Sequence, residues 1–454
     1  MPQPDTGSFF LMLRQTTTGL AADIINPERN LGRFLGLTRL EKNGDDVVLF
    51  GSFLGRGEEG EMLSGRYERD EDVLAFRYPG RGGAYDFHRV APDSAAGFLA
   101  RPDPSAPLLT PPPRGDDGWA VALPKEVGLD KRLIESMIRE HVLPAPESTH
   151  DLSIHSILIA RHGKLVIEEY FHDHDREQRH DSRSASKSVV SILAATLMYN
   201  EFSLSWDSPV FSTLKSSELL ESDSRRGDIL LRHLMNMNTG LDCDDRDPDS
   251  AANENYLWDH ADEIDFYQYT LGVDVLHKPD QHAAYCSASP NLAGAVIGAA
   301  TGRSIASLIE EYLAKPLEIE SYSIPHSPDG HPFMGGGIRW RARDLLKFPQ
   351  LLLDGGRWHE KRLLSSEDVE MILTPAVSLD GGRDYSFLWW IEDYPYKGET
   401  VRAHFMGGNG GQIAMLIPEI DVTVVFNAGN YSDRVGFRIQ EELIPNYILP
   451  AIMD

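Results

Sequence analysis

Ser182-Arg183-Ser184-Ala185-Ser186-Lys187-Ser188 runs directly into Val189-Val190-Ser191-Ile192-Leu193-Ala194-Ala195-Thr196-Leu197-Met198. A serine-dense polar segment followed by an apolar one without a polar face marks the start of a helix buried nearly all round. Within it Ser184 and Lys187 form S-x-x-K. Residues three apart share a helix face, so the lysine amine can reach the serine hydroxyl. A serine hydroxyl becomes a nucleophile only when its proton is taken. Burial against the apolar helix is expected to push the lysine pKa down and so free it to accept that proton. The helix start adds unpaired N–H groups that favour developing negative charge. Alone, the motif fits equally an N-cap serine with a surface lysine. A second copy, Ser212-Thr213-Leu214-Lys215, has no apolar helix behind it and reads as a solvated loop or helix end.

Upstream, two strands are expected at 154–160 and 164–171, joined by Arg161-His162-Gly163, with a helix before them at about 126–142. His172-Asp173-His174-Asp175, with His180 and Asp181, has metal-ligand residue types but no fixed spacing, and is read as a solvated charged loop. Residues 102–118, with Pro102, Pro104, Pro107 and Pro111 to Pro113, read as an extended semi-rigid linker. Residues 1–101 are expected to be a separate antiparallel β-domain, with apolar runs at 9–13, 47–53, 73–78 and 85–90 between turn signals such as Lys42-Asn43-Gly44-Asp45 and Arg81-Gly82-Gly83. Gly55, Gly57 and Gly60 match G-x-G-x-x-G, yet Glu58 and Glu59 would face any phosphate and no helix follows, so a hairpin turn is expected.

Downstream, the acidic stretch Asp242 to Glu263 reads as a lid or a decoration, with Tyr256, Trp258, Tyr267 and Tyr269 as candidate pocket aromatics. His282-Ala283-Ala284-Tyr285-Cys286-Ser287 precedes a second apolar helix at 292–300. Tyr285 is there either a proton relay or an ordinary amphipathic side chain. Gly335-Gly336-Gly337 leads to a helix at 342–353, and 385–391 reads as one aromatic strand. Last, His404-Phe405-Met406-Gly407-Gly408-Asn409-Gly410-Gly411-Gln412 precedes strands at 413–417 and 422–426. Its glycines suit either close approach of backbone N–H groups to a ligand or a tight turn.

The chain has 454 residues and a net charge of -27, from 43 basic and 70 acidic residues. Such a surface repels phosphate backbones and anionic lipid, so neither nucleic acid nor membrane is an expected partner. No apolar run spans a bilayer, and the start of the chain lacks the basic region of a signal peptide. As given, the chain reads as soluble and cytoplasmic; periplasmic or secreted placement would need a signal peptide removed beforehand. Cys243 and Cys286 form neither a disulfide framework nor a C-x-x-C metal pair. Gly302-Arg303-Ser304-Ile305-Ala306 misses G-x-S-x-G, and His359-Glu360 lacks the second histidine of H-E-x-x-H.

S-x-x-K at one helix start, Tyr-x-Ser before another, Gly335-Gly336-Gly337 ahead of Ala342-Arg343-Asp344, and a glycine-rich C-terminal strand together resemble the serine β-lactamase and penicillin-binding-protein superfamily. The likeness covers about residues 119–454 and is nearest the class C-like branch holding esterases and 6-aminohexanoate-dimer hydrolase. The β-domain in front resembles, more weakly, segments preceding such hydrolases. What this implies is an α+β fold of the β-lactamase/DD-peptidase type, an antiparallel sheet flanked by helices and packed on a mostly helical region. By the same resemblance Ser184 is acylated, Lys187 accepts its proton and Tyr285 assists proton transfer to the leaving group. The oxyanion hole combines the N–H of Ser184 with one at Asn409, or at Gly408 if the register shifts by one. No metal or organic cofactor is expected.

Two departures bear on the substrate. Tyr285-Cys286-Ser287 places Ser287 where penicillin-active relatives have the asparagine of Y-x-N. Met406-Gly407-Gly408 lacks the lysine of K-T-G, with His404 near but out of register. Loss of that cation favours small neutral carboxylic esters or amides, and the acidic loops argue the same way. The alternatives are a β-lactamase or D-amino peptidase, and, from another class, a catalytically idle binding or sensor protein that keeps the fold.

Overall fold

The structure, a computed structural model, describes residues 9–26, 35–55, 57–77 and 84–453. The expected turn at Arg81-Gly82-Gly83 lies outside these residues, as do the first residues of the chain and Tyr78.

Seven strands, β1 (Phe10–Thr16), β2 (Gly19–Ile25), β3 (Leu37–Asn43), β4 (Asp46–Gly51), β5 (Gly60–Glu68), β6 (Val73–Arg77) and β7 (Ala84–His88), pair in chain order as one antiparallel sheet. Alternation of apolar and polar residues sets which face is covered: in β4 Val47 and Leu49 are buried while Val48 and Phe50 are not. The sheet bends until Phe9 and Tyr85, from its first and last strands' ends, stand with ring centroids 6.0 Å apart. Gly55 and Gly57 lie in the connection between β4 and β5, without a following helix, as the sequence predicts.

The second sheet has nine strands: β8 (Ala120–Val121), β9 (Ile154–Arg161) and β10 (Lys164–Tyr170) from the first half of the body, and six more from its end. Between them come the short β11 (His180–Asp181), β12 (Tyr322–Ser323) and β13 (Arg339–Trp340), which pair together, and the hairpin of β14 (Arg357–Trp358) and β15 (Lys361–Arg362). The remaining strands are β16 (Val377–Leu379), β17 (Arg383–Ser386), β18 (Trp389–Tyr396), β19 (Glu399–Gly408), β20 (Gln412–Ile417) and β21 (Val422–Ala428). Spatial order is β16-β17-β18-β19-β20-β21-β9-β10-β8, so β21 closes onto β9. Every residue of β9, β20 and β21 is buried. Strands covered on both faces need no polar alternation, which is why they read as continuous apolar runs.

Each face carries its own core. Leu158, Ala160, Met406, Ala414, Leu416 and Val425 pack on the side of the helices Ser188–Tyr199, Ala288–Thr301 and Ala342–Leu353. Ile157, Ile159, Phe405, Ile413, Met415 and Phe426 pack on the side of Lys131–His141 and the C-terminal helix Ile439–Ile448. This is the expected helix-flanked antiparallel sheet, apart from the parallel pairing of β8 with β10.

Three sequence expectations change. The aromatic stretch 385–391 is a hairpin, not one strand: it turns at Phe387-Leu388, whose φ values are 45° and 70°. With no glycine or proline there, the turn is held from outside, by Asn236 Oδ1 accepting from Phe387 N at 2.7 Å and Met235 O accepting from Leu388 N at 2.9 Å. The proline-rich segment 102–118 forms no helix or strand, as expected, but it is packed onto the body. Leu108 and Leu109 are buried, and Pro113 O and Asp117 both accept from Arg343. Finally Cys243 and Cys286 are joined as a disulfide. Sequence separation of 43 carries no pairing signal, and only the fold brings the acidic loop beside the turn before Ala288–Thr301.

Candidate active site

The chain enters the site through β11, whose Asp181 does two things. Its backbone pairs with Arg339 of β13, and its Oδ1 accepts from Arg183 N at 2.9 Å. That second bond helps hold Arg183 at φ 48°, a left-handed conformation costly for any residue with a Cβ and found where surroundings overdetermine it. One turn of tight helix, Arg183–Lys187, then feeds the buried helix Ser188–Tyr199. Gly337 N donates to Arg183 O at 3.0 Å, and Ser182 Oγ to Ile338 O at 2.6 Å. A Cβ on Gly335 would stand 2.7 Å from Ser287 O, so Gly335-Gly336-Gly337 is glycine because it threads between the two polar turns.

Lys187 Nζ donates to Ser184 Oγ at 2.7 Å, and the lysine is 1% exposed. Its Nζ lies 5.0 Å from the centroid of the Tyr285 ring, which stacks on Trp390 at 5.5 Å. The expected fall in the lysine pKa does not occur. Burial is the largest influence and pulls it down, but Tyr285, Glu254 and Asp245 together outweigh burial and raise it above the ordinary lysine value. These neighbours favour the charged form of Lys187, whose Nζ is placed to polarise the serine hydroxyl it touches.

Asp245 and Glu254 had no signal in the sequence beyond belonging to an acidic loop. Ser287 Oγ lies 2.6 Å from Asp245 Oδ2 and 3.1 Å from Glu254 Oε2, and Ser287 N donates to the same Asp245 oxygen at 2.8 Å. Burial raises the Asp245 pKa, with Lys187 opposing and Glu254 adding to the rise. Ser287 is thus fully buried and engaged with carboxylates rather than presented to solvent.

Ser184 and Tyr285 line a cavity of about 680 Å³ together with Gly407 to Gly411, Trp390 and Phe437. Asn409 and Gly408 are both in this wall. Asn409 Oδ1 accepts from Ser432 N at 2.7 Å, which fixes the tip of the β19–β20 turn. Gly408 approaches the serine turn so closely that an added Cβ would meet Ser182 O at 2.4 Å and Ala185 N at 3.1 Å. Arg246, Arg383 and Arg434 also line the cavity, three cations that no motif announced.

His404 is not among the lining residues. It sits in β19 opposite Ile391 and Leu416, 4% exposed, with its pKa lowered to about 4, chiefly by burial. Tyr256, Trp258, Tyr267 and Tyr269 are absent from the wall as well. Trp258 packs edge-on against Phe266 and Phe333, and Tyr256 stacks on Tyr269. The histidines read as a solvated loop are instead covered: His172 and His180 are buried and His174 is half-buried.

The family model described as Beta-lactamase matches residues 151–433. EstCE1, a hydrolase with promiscuous acyltransferase activity, is 18% identical over 68% of this chain and 96% of its own, with a TM-score of 0.52. Simvastatin synthase (LovD) from Aspergillus terreus is 17% identical over 71% of this chain and 98% of its own, with a TM-score of 0.53. A Bacillus anthracis protein provisionally named 6-aminohexanoate-dimer hydrolase is 20% identical over 66% of this chain and 79% of its own, with a TM-score of 0.54. No curated protein matches.

Proposed function

Because this chain belongs to the beta-lactamase family, whose members are serine hydrolases, we propose that it cleaves small carboxylic esters or amides through an acyl-enzyme on Ser184. The observation that carries the reading is the contact of Lys187 Nζ with Ser184 Oγ, in the wall of a cavity that Tyr285 and Gly408 also line. Tyr285, its ring centroid 5.0 Å from Lys187 Nζ, shares the acid-base work with the lysine. The serine proton passes to the Lys187–Tyr285 pair as Ser184 Oγ bonds to the acyl carbon, and the pair returns it to the leaving alcohol or amine. Water then attacks the acyl-enzyme by the same route in reverse. N–H groups of Ser184 and of Gly408 or Asn409 receive the oxyanion. Ser287 positions Asp245 and Glu254 beside Lys187 rather than holding a substrate amide.

Arg246, Arg383 and Arg434 favour a second reading, in which the substrate carries an anionic group and the enzyme is a β-lactamase or D-amino peptidase. They supply the positive charge that the missing K-T-G lysine would have given. Exposure of the full chain to a fluorophosphonate, followed by peptide mapping, tests the common core of both readings. A single adduct on the peptide holding Ser184 is expected, and no adduct on folded protein would favour an idle binding protein. Turnover of short-chain nitrophenyl esters set against a chromogenic cephalosporin then separates the two.

Gly408→Ala is expected to cut ester turnover about 100-fold or more, the scale of losing one oxyanion donor. The new methyl forces β19 away from Ser182 and Ala185. Fluorophosphonate labelling slowed in parallel checks the result; wild-type labelling and turnover would refute the close-approach role.

A further inference from the structure

Beside the entry to the serine turn lies a group of histidines that the hydrolase reading does not use. His155 comes from β9, His174 from the loop after β10 and His180 from β11. One ring nitrogen from each lies within 4.8 Å of the others, and His155 Nδ1 is 2.8 Å from His180 Nε2. His155 is fully buried and His180 is 8% exposed. A fourth ring, His172, stands with its centroid 6.0 Å from that of His155.

Hydrogen bonding fixes the tautomers. His174 Nδ1 lies 3.1 Å from His172 O, His180 Nδ1 lies 3.2 Å from Asp181 O, and His172 Nδ1 lies 3.0 Å from Gly97 O. A carbonyl can only accept, so each of these three rings carries its proton on Nδ1 and its lone pair on Nε2. Donation of the second N–H to a backbone carbonyl is how metal-ligating imidazoles are oriented.

We propose that His155, His174 and His180 bind a divalent late transition metal, of the zinc, nickel or cobalt class, as a structural clamp. The donor set is all imidazole, which selects such ions over calcium or magnesium. Zinc–nitrogen bonds of about 2.0–2.1 Å at a tetrahedral angle place ligand nitrogens about 3.4 Å apart. The 2.8 Å hydrogen bond between His155 and His180 thus opens by about half an ångström to admit the ion. The proton on His155 Nδ1 moves to its Nε2, where Ser153 Oγ, 3.3 Å away, changes from donor to acceptor, so no proton is gained or lost at that ring. His174 stacks on His155 with centroids 4.0 Å apart and must turn out of the stack, since parallel rings cannot aim in-plane lone pairs at one point. It is the half-buried ring, with room to turn. Asp173 and Asp175, which act on His174, offset the added charge, while Arg183 and Arg339 on the other side of His180 oppose it. The metal would tie β9, the loop after β10 and β11 together just before Ser182.

The test uses the full chain without an affinity tag, stripped with chelator and dialysed. Titration with cobalt is expected to give visible d–d absorption saturating at one equivalent, and zinc to raise the melting temperature. His174→Ala and the bulkier His174→Gln, each checked for wild-type melting in the metal-free form, are expected to lose both signals. His331→Ala, at the more exposed group of Asp265, Asp329 and His331, is expected to keep them. Substoichiometric metal on the wild type, metal retained by both His174 variants, or metal lost with His331→Ala would each overturn the proposal.

Discussion

Ser184→Ala is expected to lower ester turnover by about 10⁴-fold or more, roughly 5 kcal/mol in the barrier, while the protein stays folded. The size follows from what is removed. Without Oγ no acyl-enzyme forms, and the donors left at Gly408, Asn409 and the serine turn can stabilise only direct attack by water. Stability is expected to change by no more than about 1 kcal/mol, because Ser184 is half-buried and its hydroxyl meets one described side chain, Lys187. The lysine keeps Asp245 and Glu254 as counter-charges. Initial rates on a nitrophenyl ester, with melting curves of both proteins, decide the matter. A variant keeping a tenth of the wild-type rate would mean that another group carries the nucleophilic step.

The largest structural effect is expected at Arg343. Its guanidinium is 3% exposed and meets Glu168, itself 2% exposed, through Nε at 2.8 Å and Nη2 at 2.6 Å. It also donates to Asp117 at 2.9 Å and to Pro113 O at 2.7 Å. One side chain thus ties β10, the helix Ala342–Leu353 and the proline-rich segment. Arg343→Met leaves the Glu168 carboxylate buried with Arg176, at 3.3 Å, and the Tyr170 hydroxyl, at 2.9 Å, still against it. Breaking a buried pair from one side costs about 3–5 kcal/mol, most of it the penalty of the charge left behind. Urea unfolding should show a lower midpoint at unchanged slope. The double variant Arg343→Met/Glu168→Met should recover part of the loss, since it removes the buried Glu168 charge and leaves only the more exposed Asp117 and Arg176 without these partners. A single variant within 1 kcal/mol of wild type would show that water, Tyr170 or Arg176 already satisfies Glu168.

What the sequence made legible were features written in local pattern. The buried helix behind Ser184, the helix Ala342–Leu353 and strands β9, β10, β20 and β21 follow from apolar periodicity and turn residues. The grouping of Ser184, Tyr285, Gly408 and Asn409 around one cavity came from their order along the chain, through a family likeness. Features that depend on distant neighbours were not legible. The turn at Phe387-Leu388 has no turn residue of its own and rests on Met235 and Asn236. Asp245 and Glu254 look like any acids of an acidic loop until the Cys243–Cys286 link and the fold place them by Lys187. For the same reason the direction of the Lys187 shift is not legible: burial is visible in the sequence, but the acids that oppose it are not. The histidine group failed the same way, since His155 lies on a strand that reads as pure core.

The pairing of β21 with β9 has a consequence for how the protein is made. Residues 154–161 must wait for residues 422–428 before the middle of their sheet exists. At about 5–20 residues per second on a ribosome, that is a delay of tens of seconds. The seven-stranded sheet in front, built from neighbours in chain order, can close while the rest is still being synthesised. Meanwhile β9 and β10 stand as an apolar hairpin without its partner on one edge. The middle of the sheet that carries the site is therefore completed late, and until residues 422–428 have emerged β9 presents an open apolar edge.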